Sequence, residues 1–271
     1  MWGTAVGVAR VRALESERED ALFRDPLARA FAAAGGLWPS SPAPPGDEAA
    51  RRRRLAVSLS IVIRTKFLDD LLRRASVSGV RQVVLLGAGM DSRAFRMDWP
   101  EGTRLFEVDT AAPLEFKASV LRQERAVARC ARITVAADLR ADWPAALAAA
   151  GHDPAVPTVW IAEGLLIYLP EDAVELLLAR ISAQSAAGSR MGLTLGSRGV
   201  IERFGADAGP GSAASMWVSE MPDDPVGWLA GHGWAADSHT LHECAAAYGR
   251  PFSAPPQREE RPGGLISAVR R

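Results

Sequence analysis

From residue 79 onward the apolar residues fall in short runs, many of them β-branched, separated by segments with helical spacing. The runs are 82–86, 104–108, 133–137, 158–162, 191–195, 234–241 and 265–269. Runs that are apolar at nearly every position predict strands covered on both faces. The first four are separated by stretches long enough for helical crossovers, which predicts parallel neighbours. The expected fold is therefore α/β, a doubly wound, mostly parallel, seven-stranded Rossmann-like sheet. The last two runs follow a loop-rich stretch and are expected to pair antiparallel at one edge.

Before residue 79 the pattern is helical. Residues 9–23 set Val11, Leu14, Ala21 and Leu22 among charges, and Asp25-Pro26 restarts a helix through Phe31. From Arg51, the residues Leu55, Leu59, Val62, Ile63, Phe67 and Leu71 share one face, predicting a helix that runs towards Arg74. Residues 35–47 (GGLWPSSPAPPGD) are rich in Pro, Gly and Ser and predict an exposed, irregular connection. Residues 196–224, between the fifth and sixth strands, are similarly rich in Gly, Ser, Ala and Pro. They read either as a lid over a ligand crevice or as a tolerated surface insertion. At 271 residues one domain is expected, with an N-terminal helical cap (1–78), a cofactor-binding core (79–195), a variable region (196–233) and C-terminal edge strands (234–271).

Composition narrows the function classes. With 48% hydrophobic and 24% charged residues the chain is an ordinary globular protein rather than a disordered one. Lys+Arg and Asp+Glu both number 32, so no global field recruits nucleic acid or an anionic membrane, and neither partner is expected. The four arginines 51–54 are not continued by aromatic or basic residues and read as a solvated helix start. Cys130 and Cys244 lack the short spacing of metal or redox sites; no metal is expected, and two buried thiols suggest a reducing cytoplasm. Charges arrive before any apolar run long enough for a signal peptide, and no later stretch approaches the ~20 residues of a membrane span, which again favours a cytoplasmic protein. The sequence leaves the oligomeric state open.

The strongest chemical signal is VVLLGAGMDSR at 83–93, a buried strand running into a glycine turn and a helix. Gly87 and Gly89 let the backbone approach a ligand closely. Asp109 ends the second strand twenty residues after Gly89, where a carboxylate can accept both hydroxyl hydrogens of a ribose. A dinucleotide turn would carry a third glycine where Ser92 stands, and Asp91 puts a carboxylate where a pyrophosphate would sit. S-adenosyl-L-methionine, with no phosphate and an ammonium group, fits better than NAD. Asp138, after the third strand, can accept from an exocyclic adenine amine while Leu139 packs on the purine; it reads equally well as a helix N-cap. Glu163 directly follows a strand expected to be buried, so it must face a partner or the crevice.

These segments resemble the leucine carboxyl methyltransferase family, in particular its bacterial O-methyltransferases of the tetracenomycin type. The resemblance runs from Thr4-Ala5, Arg12-Ala13-Leu14-Glu15-Ser16 and Phe23-Arg24-Asp25-Pro26 through Arg64-Thr65-Lys66-Phe67-Leu68-Asp69 to the glycine turn with Asp91-Ser92-Arg93. It continues through Glu107-Val108-Asp109, Asp138-Leu139-Arg140 with Trp143, and Ala162-Glu163-Gly164-Leu165-Leu166 with Tyr168-Leu169. Beyond about Gly196 it becomes loose.

The resemblance implies a methyltransferase sheet with S-adenosyl-L-methionine as cofactor and a small-molecule methyl acceptor. Arg64 would pair with the cofactor carboxylate, Gly87 and Gly89 would pass beneath its methionine part, and Asp109 would hold the ribose. Asp138 and Leu139 would hold the adenine. Glu163 would lie near the amino-acid end and the methyl group, a positioning candidate together with Tyr168; Arg93 would support the shape of the site. A carboxylate acceptor needs no general base, whereas a phenol or alcohol would draw on His152, His232, His239 or His242. None of the four stands out as a base, so a carboxylate acceptor is favoured, plausibly in secondary metabolism. Arg198 and Arg203 are candidate substrate anchors. A nicotinamide-dependent oxidoreductase and a non-catalytic cofactor-binding protein are the competing expectations.

Overall fold

The computed structural model describes residues 3–38, 48–196, 222–252 and 264–271. Most of the Pro-rich connection and residues 197–221, with Arg198 and Arg203, lie outside the described residues. The N-terminal helices are α1 (Gly3–Ser16), α2 (Ala28–Ala34) and α3 (Glu48–Val77). Then β1 (Gln82–Leu86), β2 (Arg104–Asp109), β3 (Ala131–Ala136), β4 (Thr158–Ala162) and β5 (Arg190–Thr194) alternate with α4 (Arg93–Arg96), α5 (Ala111–Gln123), α6 (Trp143–Ala149) and α7 (Glu171–Ala183). The chain continues with α8 (Pro225–Gly231), β6 (Trp234–His239), α9 (Leu241–Ala247) and β7 (Leu265–Arg270).

The seven strands pair in the order β3-β2-β1-β4-β5-β7-β6. Strands β1 to β5 are parallel, while β7 runs antiparallel between β5 and β6. Alternate residues of the central strands serve two apolar clusters. Val83, Leu85, Val159 and Ile161 pack with α3, whereas Val84, Leu86, Trp160 and Ala162 pack with Trp143 of α6 and Leu177 and Leu178 of α7. Side chains alternate across a pleated strand, so covering both faces demands the continuous apolar runs seen in the sequence.

Several boundaries differ from expectation for local reasons. Helix α1 stops at Ser16, not near residue 23, because polar side chains turn the chain there: Glu15 Oε1 accepts the Leu22 N–H at 2.8 Å and Ser16 Oγ the Asp25 N–H at 2.8 Å. Asp25 Oδ1 then accepts the N–H groups of Leu27 and Ala28, which starts α2. Strand β6 ends at His239 because Thr240 and Glu243 form a reciprocal capping box that opens α9. Helix α3 begins at Glu48, whose carboxylate pairs with the exposed Arg51 and Arg52 at 3.7 and 3.1 Å, a solvated helix start.

Two ion-paired groups fix helices to this frame. Glu107 of β2, fully buried, takes Lys117 of α5 at 2.8 Å and Arg132 of β3 at 2.7 Å. Asp70 of α3 binds Lys66 at 2.6 Å and accepts a hydrogen bond from the Tyr248 hydroxyl, just after α9, at 3.1 Å; the Lys66 ammonium also lies over the Tyr248 ring. Cys244 is buried, but Cys130 is only half-buried, being placed in the loop ahead of β3; both are free thiols. Among the described residues no helix is long and apolar enough to cross a membrane.

Candidate active site

Because β1 to β5 are parallel, the glycine turn after β1, Asp109 at the end of β2, Asp138 beyond β3 and Glu163 beyond β4 all lie along the carboxyl edge of the sheet. Gly87 and Gly89 adopt φ of +63° and +42°, the left-handed region that glycine reaches at least cost. The N–H groups of Gly87 and Ala88 donate to the Val108 carbonyl at 2.9 and 3.2 Å, fastening the turn to β2. The Gly89 N–H donates to Asp109 Oδ2 at 2.7 Å, and Asp109 Oδ1 accepts the Thr110 N–H at 2.7 Å. A Cβ on Gly87 would come within 2.9 Å of Leu165 Cδ1, and one on Gly89 within 3.0 Å of the Ala5 methyl. The turn is thus approached closely from the β4 loop and from α1.

Arg64 and Glu163 are brought together. Glu163 Oε1 accepts from Arg64 Nε at 3.1 Å and Thr65 Oγ1 at 3.2 Å, and Oε2 from Arg93 Nη2 at 2.8 Å. Gly164, at φ +62°, keeps the backbone clear of Arg64, whose Nη1 would lie 3.2 Å from an added Cβ. Arg93, 1% exposed, also donates to Asp69 Oδ1 at 2.8 Å and to Asp91 Oδ2 at 2.5 Å. Asp69 receives Arg96 as well, at 2.6 and 2.8 Å. Arg12 of α1 pairs with Asp25 at 3.0 Å and donates to the Met90 carbonyl. One connected set of charges therefore ties α1, α3, the glycine turn, α4 and the end of β4 together.

The electrostatics follow from this pairing. Burial raises the Glu163 and Asp69 carboxyls, but the surrounding guanidinium groups outweigh it and hold both below the usual carboxylate range. Asp91 responds in the same way: burial raises it, Arg93 above all lowers it, and it settles at about 2. The carboxylate that the sequence places beside the turn is therefore neutralised by its own neighbour two residues on, rather than offered to a ligand.

Asp138 sits differently. Its carboxylate is bound by Arg140 through Nη2 at 2.6 Å, Nε at 3.0 Å and the backbone N–H at 2.9 Å, and these bonds draw it down to about 2 while leaving it open to solvent. It does not cap α6, whose N-cap position is Asp142. Leu139 is buried in the apolar cluster that contains Val135 and Trp143. Tyr168, half-buried, closes a single 3₁₀ turn, Leu166–Tyr168, just beyond Glu163.

Arg93, expected to support the shape of the site, lies at the centre of this charged cluster, which also includes Thr65, Asp69 and Arg96, residues to which the sequence assigns no role of their own. The available signal was Asp69 on the same helical stripe as Val62, Thr65 and Leu72, an acidic residue on a face that must be buried.

The histidines sort by sheet edge. His152 is buried at the amino edge, bonded to Thr158 Oγ1 at 3.1 Å and packed on Trp160, and burial lowers it to about 4. His232 precedes β6 and binds Glu175 at 3.0 Å. His239 ends β6 at the carboxyl edge, its ring 5.6 Å from that of Phe67.

Comparison with known proteins gives the family of the chain. The model of the leucine carboxyl methyltransferase family matches residues 5–182. A protein of Streptomyces avermitilis, provisionally named an S-adenosyl-L-methionine-dependent methyltransferase, is 90% identical over 100% of this chain and 96% of its own. A Frankia alni protein with the same provisional name is 76% identical over 100% of this chain and 95% of its own. In fold, the chain resembles the crystal structure of a DUF574 family protein from Streptomyces avermitilis, with a TM-score of 0.56 at 15% identity over 97% of both chains. On the strength of the family match and these relatives, the chain belongs to the leucine carboxyl methyltransferase family.

Proposed function

We propose that the chain transfers the methyl group of S-adenosyl-L-methionine to a carboxylate oxygen of a small molecule, in secondary metabolism. Membership of the family makes it an S-adenosyl-L-methionine-dependent methyltransferase; the oxygen, the carboxylate and the residue roles are our reading. The observation that carries it is the series of acidic groups, Asp109, Asp138 and Glu163, along one sheet edge beside the glycine turn.

The donors and acceptors present suit this cofactor. Asp109 spends one lone pair of each oxygen on a backbone N–H, Oδ1 also receives the Thr110 hydroxyl at a long 3.5 Å, and the capacity that remains suits ribose hydroxyls. Asp138 can exchange the exposed Arg140 for an adenine amine, above the edge of Leu139. The Arg64–Glu163 pair offers one charge of each sign, which matches the carboxylate and ammonium of an amino-acid end. Bound there, S-adenosyl-L-methionine supplies a methyl carbon already activated by its sulfonium. What remains for the protein is alignment, with Glu163 and Tyr168 bounding the place where the acceptor oxygen must stand. A carboxylate acceptor is ionised at neutral pH and gives up no proton, so a site with no base at its centre suffices.

The test is transfer of a radiolabelled methyl group to small carboxylic acids, phenols and peptides with a free carboxyl end. Label that enters the acids and is released by mild base, as an ester is, supports the reading. Label held in a base-stable phenol ether overturns the carboxylate assignment.

A further inference from the structure

The charged cluster accounts for the cofactor end of the carboxyl edge and leaves the other end without a task. Three of the four histidines are engaged elsewhere. His152 and His232 belong to the amino edge, and His242 on α9 stacks on Phe252 at 4.6 Å with its Nδ1 enclosed. His239 alone combines a place on the carboxyl edge with a half-exposed ring whose nitrogens bond to no described residue.

Strand register fixes where it stands. Ala162 pairs with Leu193, so Glu163 comes level with Thr194; Thr194 pairs with Leu265, and Leu265 with His239. Glu163 and His239 thus occupy one row across the edge, three strand spacings or roughly 14 Å apart. Helix α3 joins them, since Arg64 and Thr65 touch Glu163 while Phe67, less than a turn later, touches His239. Glu243 of α9 is a charged group near this ring and is itself occupied with the Thr240 hydroxyl and N–H.

We infer that His239 is a specificity residue, donating a ring N–H to a second oxygen function at the end of the acceptor remote from the methylated carboxylate. The spacing is too long for His239 to act on the reacting oxygen and suits an elongated bifunctional acid, such as a dicarboxylate or an oxo acid. This deepens the carboxylate reading above and rests on it.

The probes are linear α,ω-dicarboxylates of six to ten carbons and the matching monocarboxylates, with S-adenosylhomocysteine bound for titrations. The wild-type enzyme is expected to favour at least one dicarboxylate about tenfold in KM over its monocarboxylate. His239→Phe keeps a ring against Phe67 but should abolish that preference, His239→Gln should restore part of it, and kcat for the monocarboxylate should hold in both. In NMR titrations, dicarboxylates should shift the His239 ring signals and leave those of His152 in place. An unchanged preference in His239→Phe, or no dicarboxylate that moves the His239 signals, overturns the inference while ester formation leaves the proposed function standing. Failure of every carboxylate to accept label would instead strike the proposed function.

Discussion

Asp91 and Asp138 are both held at about 2, and for opposite reasons. Asp91 is buried, and its charge survives because Arg93, Lys117 and Arg12 outweigh the loss of solvent. Asp138 lies at the surface, and hydrogen bonds from Arg140 alone lower it. Removing a partner from the first leaves an uncompensated charge inside the protein; removing Arg140 from the second leaves a carboxylate in water. The comparison separates charges that hold the site together from charges free to exchange their partner for a ligand.

The severest way to break this distinction is Arg93→Met, which removes the one cation shared by Asp69, Asp91 and Glu163 and leaves Asp91 without its nearest partner. Loss of a buried partner should lower the unfolding free energy by about 3–5 kcal/mol in urea titrations; a loss below 1 kcal/mol would mean that the cluster is not a structural keystone. Next comes Asp109→Ala on the ligand side. Loss of a charge-assisted bond of roughly 1.5–3 kcal/mol should weaken S-adenosylhomocysteine about ten- to a hundredfold by calorimetry. Unaltered affinity removes Asp109 from the site.

Acid sharpens the contrast further. The folded pKa of Asp91 lies below its unfolded value of 3.8, so the stability it confers is present above pH 4 and is lost as pH falls towards 2, an amount of about 2 kcal/mol. The buried pair should keep that dependence in 1 M salt, since screening acts on exposed charges. Arg140→Ala should produce the smallest change, leaving the melting temperature where it was and cofactor affinity equal or tighter as Asp138 loses a competitor. Weaker cofactor binding in that variant would give Arg140 a direct part in the site.

Much of the fold could be read directly because the apolar runs of β1 and β4 are covered on both faces, whereas the edge strands β3 and β6, expected to be covered alike, lie partly open to solvent because each has a neighbour on one side only. The glycine turn and the end of β2 were equally legible, since Gly87, Gly89 and Asp109 act through backbone geometry and sequence spacing. Arg93 was not, because its role arises from Asp69 and Glu163, 24 and 70 residues away, and distance along the chain says nothing of who meets whom. The ends of α1 and β6 were missed where a single side chain, Glu15 or Thr240, turns the backbone against its periodicity. Asp91 differs for a related reason: beside the turn it reads as a free anion, and the fold brings Arg93, with Lys117 and Arg12 behind it, to cancel its charge.

The buried bond between Lys117 and Glu107 has a practical corollary. The sequence contains two lysines, and Lys117 is wholly enclosed. An acylating dye therefore has one side-chain amine to find, that of Lys66, which stands over the Tyr248 ring where α3 meets the segment after α9. Once the more acidic α-amino group has been blocked at lower pH, such a label would report on that single joint.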